Sequence, residues 1–544
     1  MDPGDPPPPG LTPAQLQLRR ARRRREALRR RQVRRRRLTL GLALAALAGI
    51  ALGMSAGASE RLDLPLPTSQ ARHAGNYDWT EAFDGEPATV DEENRKPGTR
   101  SWMLPGGRAR GHIAGYVASQ SIRPGELQRI YVDAPRSRWV RVEAYRMGWY
   151  GGLSGRLVLS SHKLAAVRQP RCPRDSNTGL VECRWHPTLS FRIPPGLTSG
   201  VYVMKMMSNT GTAAYCMFVL ESPRPRPLLV QLSTATYQAY NSWGGNSLYP
   251  SNQLVGVTGT TQGVEVSFDR PYKTSTGAGQ LFTRDLAAIR FLEQEGYDAS
   301  YTTNPSVDAN PAQVLGHRML LDVGHSEYWS QRNADAFRRA RDAGTNLAFL
   351  ASNTMAWRVR YSGGGHRMTA YKEYVGADPD QTLPSGLFPF GGAPLTGTAW
   401  QLCVTPRYLG TGRPTYHYYP WKPSAALQPE WLFQDTGLTA TSEVNGIVGY
   451  EPDGTTSASP AGVQVVGSGT TLCQNGGPAA GLGQSTLYTA PSGALVFSSG
   501  TLGWSLGLSP MPDESPDAPR APDPRLVKLT ENLFERMLAG EPSG

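Results

Sequence analysis

The stretch Arg318-Met-Leu-Leu-Asp-Val-Gly-His-Ser-Glu-Tyr-Trp329 decides how the rest of the chain is read. Met319 to Val323 is a short apolar run, long enough for a buried strand, and Gly324 ends it. His325, Glu327, Tyr328 and Trp329 follow at once. Ser330 is a fair N-cap for a helix that runs through Asn333-Ala-Asp-Ala-Phe-Arg-Arg-Ala-Arg341 to Gly344, a natural residue just past a helix end. A second apolar run, Asn346-Leu-Ala-Phe-Leu-Ala351, ends in Ser352-Asn353. Strand, helix and strand in that order make a βαβ unit with parallel strands. Open α/β sheets bind ligands outside the carboxyl ends of their strands. His325, Glu327 and Asn353 are therefore expected on one rim.

Outward from this unit, 544 residues leave room for two or three domains besides a tail. The net charge of +12 is concentrated at one end, since residues 1–37 hold thirteen arginines against Asp2, Asp5 and Glu26. The near-neutral remainder argues against nucleic-acid binding by the folded part. Residues 1–37 read as a basic, disordered cytoplasmic tail with arginine blocks at Arg22–Arg25 and Arg34–Arg37. Leu38 to Ala58 carries no charge and is long enough for one transmembrane signal-anchor helix. The arginines before it place the N-terminus in the cytoplasm and the body outside the membrane. Ala56-Gly57-Ala58 also fits a cleavage site, which would leave a secreted form. Five cysteines fit an exported protein with up to two disulfides. Cys172 with Cys183 is the first pair chosen and Cys403 with Cys473 the second, while Cys216 reads as a buried strand thiol.

Residues 59–98 have little periodicity and read as a linker. From 99 to 222 the texture is short alternating strands, such as Leu127-Gln-Arg-Ile-Tyr-Val132 and Trp139-Val-Arg-Val-Glu-Ala-Tyr145, which implies a β-sandwich. Pro223-Arg-Pro-Arg-Pro227 is a stiff boundary. From 228 to 544 strands and helices alternate, which implies a doubly wound, mostly parallel α/β sheet. A Gly- and Pro-rich insert at about 364–478 reads as loops and antiparallel additions over the rim.

A serine nucleophile fails on pattern, because Tyr328 stands where the Gly-x-Ser-x-Gly elbow needs its second glycine. A cysteine nucleophile fails because Ser352-Asn353 occupies the expected elbow. Metal chemistry remains. His325 and Glu327 are two apart, so on an extended segment they point the same way.

Tyr237-x-x-Tyr240-Asn-x-Trp-Gly-Gly245, Ser267-x-x-Arg-Pro-Tyr272, Gly324-His-x-Glu-Tyr-Trp329 and Ser352-Asn353 resemble the motifs of a known family, the C-terminal domain of the large (beta) chain of N,N-dimethylformamidase. Gly148-Trp-Tyr-Gly-Gly152 resembles the β-domain that precedes it. The resemblance implies a glutamine-amidotransferase-like sheet after the sandwich and a mononuclear iron, Fe3+, held by two tyrosines and a glutamate. It places the metal glutamate on Glu327, the nearby histidine on His325 and an asparagine on Asn353. Tyr240 and Tyr272 are chosen as the tyrosines, with Tyr237 the alternative to Tyr240. Glu451 is chosen over Glu443 as a further glutamate acting as general base. Two phenolates and a carboxylate match a hard ferric ion, which would polarise an amide carbonyl or lower the pKa of water. The expectation is a membrane-tethered, extracytoplasmic, iron-dependent hydrolase of a small amide. The rival is a non-catalytic, membrane-anchored surface module that binds glycan or protein through Trp149, Tyr150, Trp243 and Trp329.

Overall fold

The computed structural model describes residues 76–104, 112–408, 415–474, 479–511 and 516–539. Residues 71–544 form one compact unit. Its first layer is a seven-stranded sheet whose long central strands are Trp139–Met147, Gly200–Ser208 and Ala213–Leu220. A three-stranded sheet of Ala114–Val117, Leu127–Asp133 and Leu189–Arg192 faces it. Ile130, Val132, Val142, Phe191, Met204 and Phe218 fill the space between them. This is the expected sandwich, but its larger sheet is covered twice. Tyr145, Met147, Val201, Val203, Tyr215 and Met217 face the other way, into the core of the second layer. Every residue of Ala213–Leu220 is buried for that reason. Tyr77–Trp79, inside the stretch read as a linker, is an edge strand of this sheet and pairs with Gly155–Ser161.

The second layer begins with strand β1 (Leu228–Leu232) and the short helix α1 (Thr234–Ala239). Helix α2 (Leu286–Gln294), β2 (Ala299–Thr303), β3 (Met319–His325), α3 (Gln331–Asp342) and β4 (Asn346–Ser352) follow. Then come β5 (Tyr419–Pro423), β6 (Val444–Val448), β7 (Gln464–Leu472), β8 (Ala480–Thr489), β9 (Leu495–Ser498) and the closing helix α4 (Pro524–Leu538). These strands form one nine-stranded sheet in the order β2-β1-β3-β4-β9-β8-β7-β5-β6. The βαβ unit β3-α3-β4 is parallel, with His325 opposite Ser352 in register. Ser330 caps α3 by accepting from the Asn333 N–H.

The fold expectation needs two corrections. The sheet is mixed, not mostly parallel: β2, β1, β3, β4 and β9 run parallel, while β8, β7, β5 and β6 extend it antiparallel. Strands dominate the body, and the region read as an insert supplies three strands of its main sheet. The second correction concerns the membrane. The expected span, 38–58, lies outside the described residues, and among the described residues no helix is long and apolar enough to cross a membrane. Helix α4, at 15 residues, is short of the roughly 20 a bilayer needs and has polar residues along one side. The single-pass placement with an outside body, and the secreted form derived from it, are withdrawn.

Both chosen disulfides are present, Cys172–Cys183 and Cys403–Cys473, and Cys216 is a buried free thiol.

Candidate metal centre

Gly324 turns the end of β3 toward the rim. Its φ of 76° is left-handed, and a Cβ there would lie 2.0 Å from Asp285 Oδ1. Only glycine fits that close approach without strain. The turn after β4 is shaped by Asn353 at φ 54°. The Asp453 carboxylate accepts the N–H groups of Asn353 and Thr354 at 2.7 and 3.3 Å. Burial pushes the Asp453 carboxyl up to about 7, against those two N–H bonds. Ser352 Oγ donates to the Glu451 carbonyl at 2.6 Å. The segment after β6 is thus tied to the turn after β4, which brings Tyr450 and Glu451 to His325.

Around Glu327 the geometry is dense. Tyr240 Oη donates to Oε2 at 2.8 Å, and Tyr249 Oη reaches Oε1 at 2.8 Å and Oε2 at 3.0 Å. Trp357 Nε1 donates to Oε1 at 2.9 Å, and Tyr328 Oη donates to Tyr249 Oη at 3.0 Å. The rings of Tyr240 and Tyr249 stack with centroids 4.2 Å apart. Burial holds the Glu327 carboxyl above its ordinary range, opposed by His325 and reinforced by Glu451. Burial, then the Glu327 charge, push both phenols well above theirs. Without a cation the phenols keep their protons and donate them to the carboxylate in hydrogen bonds. The buried Lys372 ammonium lies 3.7 Å from the Tyr249 ring centroid and 4.8 Å from that of Trp357.

The second half of the cluster is His325, Asn353 and Glu451. His325 Nε2 lies 2.7 Å from Glu451 Oε2 and 3.5 Å from Glu327 Oε2, and its Nδ1 lies 3.2 Å from Tyr450 Oη. A proton on Nε2, with Tyr450 donating to Nδ1, satisfies the ring. Asn353 Nδ2 donates to Glu451 Oε2 at 3.0 Å, while its Oδ1 is buried with no partner. Ligand atoms of His325, Glu327 and Glu451 all lie within 4.8 Å of one another, a possible metal site. Hard oxygen donors around one carboxylate, with an orphaned amide oxygen beside them, suit a hard cation and a polar ligand.

The structure brings together Tyr240, His325, Glu327, Asn353 and Glu451. Tyr272 stands apart: its hydroxyl donates to Gln120 Oε1 at 3.2 Å, and its ring packs edge-on against Tyr237. Packing across the two layers, not the rim, claims that side chain. The alternative Tyr237 donates to Asp285, and Glu443 pairs with Lys422 at 2.5 Å. Sequence reading missed Tyr249, Trp357, Lys372 and Tyr450. Tyr249 lies just beyond the Tyr237–Gly245 motif, and nothing in its spacing marks it. Tyr450 carried one signal, its place directly before Glu451.

Residues 141–517, more than half the chain, match the model of the family described as N,N-dimethylformamidase beta subunit-like, C-terminal. The chain is 27% identical to the N,N-dimethylformamidase beta subunit of Alcaligenes sp and 26% identical to that of Paracoccus aminophilus. Each match covers 33% of this chain and 28% of the relative, so the chain spans well under a third of the curated proteins it matches. The long family match, together with a rim that gathers His325, Glu327 and Asn353, shows that the chain belongs to the N,N-dimethylformamidase beta subunit-like, C-terminal family.

Proposed function

We propose that this chain hydrolyses the C–N bond of a small amide at a mononuclear iron site. The observation that carries the reading is the convergence of the Tyr240 and Tyr249 hydroxyls on the Glu327 carboxylate. These three side chains would hold the ion, with Tyr249 in the place first given to Tyr272. When bound, the ion would supply Lewis acidity toward an amide carbonyl or a water. Glu451, at the edge of the cluster, takes a proton from the attacking water and returns it to the departing amine nitrogen. The Nε2–H of His325 and one N–H of the Asn353 amide steer the Glu451 carboxylate, and the second N–H of that amide donates to the oxygen on which negative charge develops. The unpaired Asn353 Oδ1 is free to accept from an amide N–H or from water. Among the aromatics of the rival binding reading, Tyr150 and Trp329 are buried and Trp149 and Trp243 are only partly exposed. These four side chains offer no open aromatic platform for that alternative.

The test is iron content, visible absorption and amine release from N,N-dimethylformamide and related small amides, on the purified full-length chain. Stoichiometric iron with a phenolate-to-iron band, and amine release lost in Glu451→Gln with iron retained, are expected. Iron without such a band would favour the His325–Glu327–Glu451 donor set, and a chain that binds no iron and releases no amine would overturn the reading.

A further inference from the structure

Arg270, in the Ser267-x-x-Arg-Pro-Tyr272 stretch, is 1% exposed and, among the described residues, forms no ion pair. Its guanidinium meets only neutral carbonyls: Nη1 donates to Trp243 O at 3.1 Å and Asn246 O at 3.0 Å, and Nη2 to Asn241 O at 2.8 Å. Nε is buried without a partner. A buried charge without a counterion is costly, and burial pushes this guanidinium down to about 9.

All three acceptors lie in Asn241–Asn246, between Tyr240 and Tyr249. The same segment is held from its own side. Asn241 Nδ2 donates to Pro271 O at 2.9 Å, and its Oδ1 accepts from Lys273 N at 3.1 Å and Trp243 N at 3.2 Å. The loop turns at Gly244 (φ 79°) and Gly245 (φ 116°), which offer little stiffness of their own. Yet the phenols at its two ends reach one carboxylate with their rings stacked. A rigid five-donor fork, not a point charge, matches three carbonyls at fixed separations.

We propose that Arg270 and Asn241 form a latch that positions the Tyr240 and Tyr249 hydroxyls for joint coordination by setting the shape of the loop between them. Arg270 is thus a positioning residue, acting through the two phenols. The inference rests on the metal reading above for its purpose, and its test includes a readout that needs no metal.

Full-length wild type, Arg270→Lys, Asn241→Ala and Tyr272→Phe are compared for ferric-ion affinity, the energy of the phenolate-to-iron band and, metal-free, the 13Cζ-tyrosine resonances of Tyr240 and Tyr249. Tyr272→Phe removes a neighbouring contact without touching the latch and is expected to match wild type throughout. Arg270→Lys keeps the charge but not the fork. It is expected to move both tyrosine resonances, shift the band and weaken iron binding at least about tenfold, and Asn241→Ala is expected to act in the same direction if the lysine variant does not fold. Unmoved resonances in a folded latch variant, or equal losses in Tyr272→Phe, overturn the latch. Resonances that move in the latch variants, when the wild-type chain never takes up iron, support the latch and overturn the metal reading instead.

Discussion

At the residue scale, Glu327 stands out because three donors, Tyr240, Tyr249 and Trp357, aim at one carboxylate. Glu327→Gln keeps the volume but cannot accept all three protons or balance a trivalent ion. Iron content measured by elemental analysis is expected to fall to background. Tyr249→Phe is expected to weaken iron binding and dim the phenolate band, whereas Tyr272→Phe loses only its bond to Gln120, about 0.5–1.5 kcal/mol in a denaturant titration. Unchanged iron in Tyr249→Phe would return the second tyrosine to an open question. His325, Glu327 and Asn353 were legible in sequence because each sits within two residues of a core strand's end. Tyr249 was not, because a loop carries it to the rim, and a loop's path is decided by its tertiary hydrogen bonds.

At the element scale, the antiparallel half of the sheet hid behind its glycines. In β7, Gly467 and Gly469 fall in the stretch read as loops and antiparallel additions, yet they, like Gly481 and Gly483 of β8, are close-packing positions. A Cβ on Gly467 would lie 2.1 Å from the Trp421 ring, and one on Gly483 would lie 2.5 Å from Val448. Gly467→Ala is expected to cost about 1–3 kcal/mol by overpacking, read as a lower midpoint in urea. On β3 itself, burial pushes the Asp322 carboxyl up to about 7, and beside that strand it pushes the Asp285 carboxyl up to about 8. Both keep a proton in the fold well above the pH of ~4 at which the unfolded chain's carboxyls ionise. Their contribution to stability is therefore complete below that value and lost as pH rises through 7 to 8. Melting temperature is expected to climb as pH is lowered from 8 to 6, and to climb less in Asp285→Asn. An identical slope in that variant would assign the effect elsewhere.

At the scale of the whole molecule, the two layers share a core and a buried ionic lock. Arg146 of the sandwich grips Glu293 of α2 with two bonds, Nη1 to Oε2 at 2.7 Å and Nη2 to Oε1 at 2.8 Å. Tyr301 Oη and Asn94 Nδ2 also donate to Glu293, at 3.0 and 2.7 Å. Removing one partner of a fully buried pair strands the other charge, at a cost of about 3–5 kcal/mol. Glu293→Gln is expected to lower stability by that order while calorimetry still shows one transition for both layers. Two separated transitions would mean that the layers unfold independently.

The amino-acid order alone determined the βαβ unit, the alternating strands of the sandwich, the nearby Cys172–Cys183 pair and the family, because alternation, helix caps and motif spacing are local properties, whereas the Cys403–Cys473 pair, 70 residues apart, was decided by the fold. The mixed direction of the main sheet, the identity of the second tyrosine and the sharing of one core by two layers were decided only by the tertiary structure. Each depends on groups distant in the chain meeting at van der Waals or hydrogen-bond range. Local patterns record which face of an element is apolar, but not which distant partner will cover it.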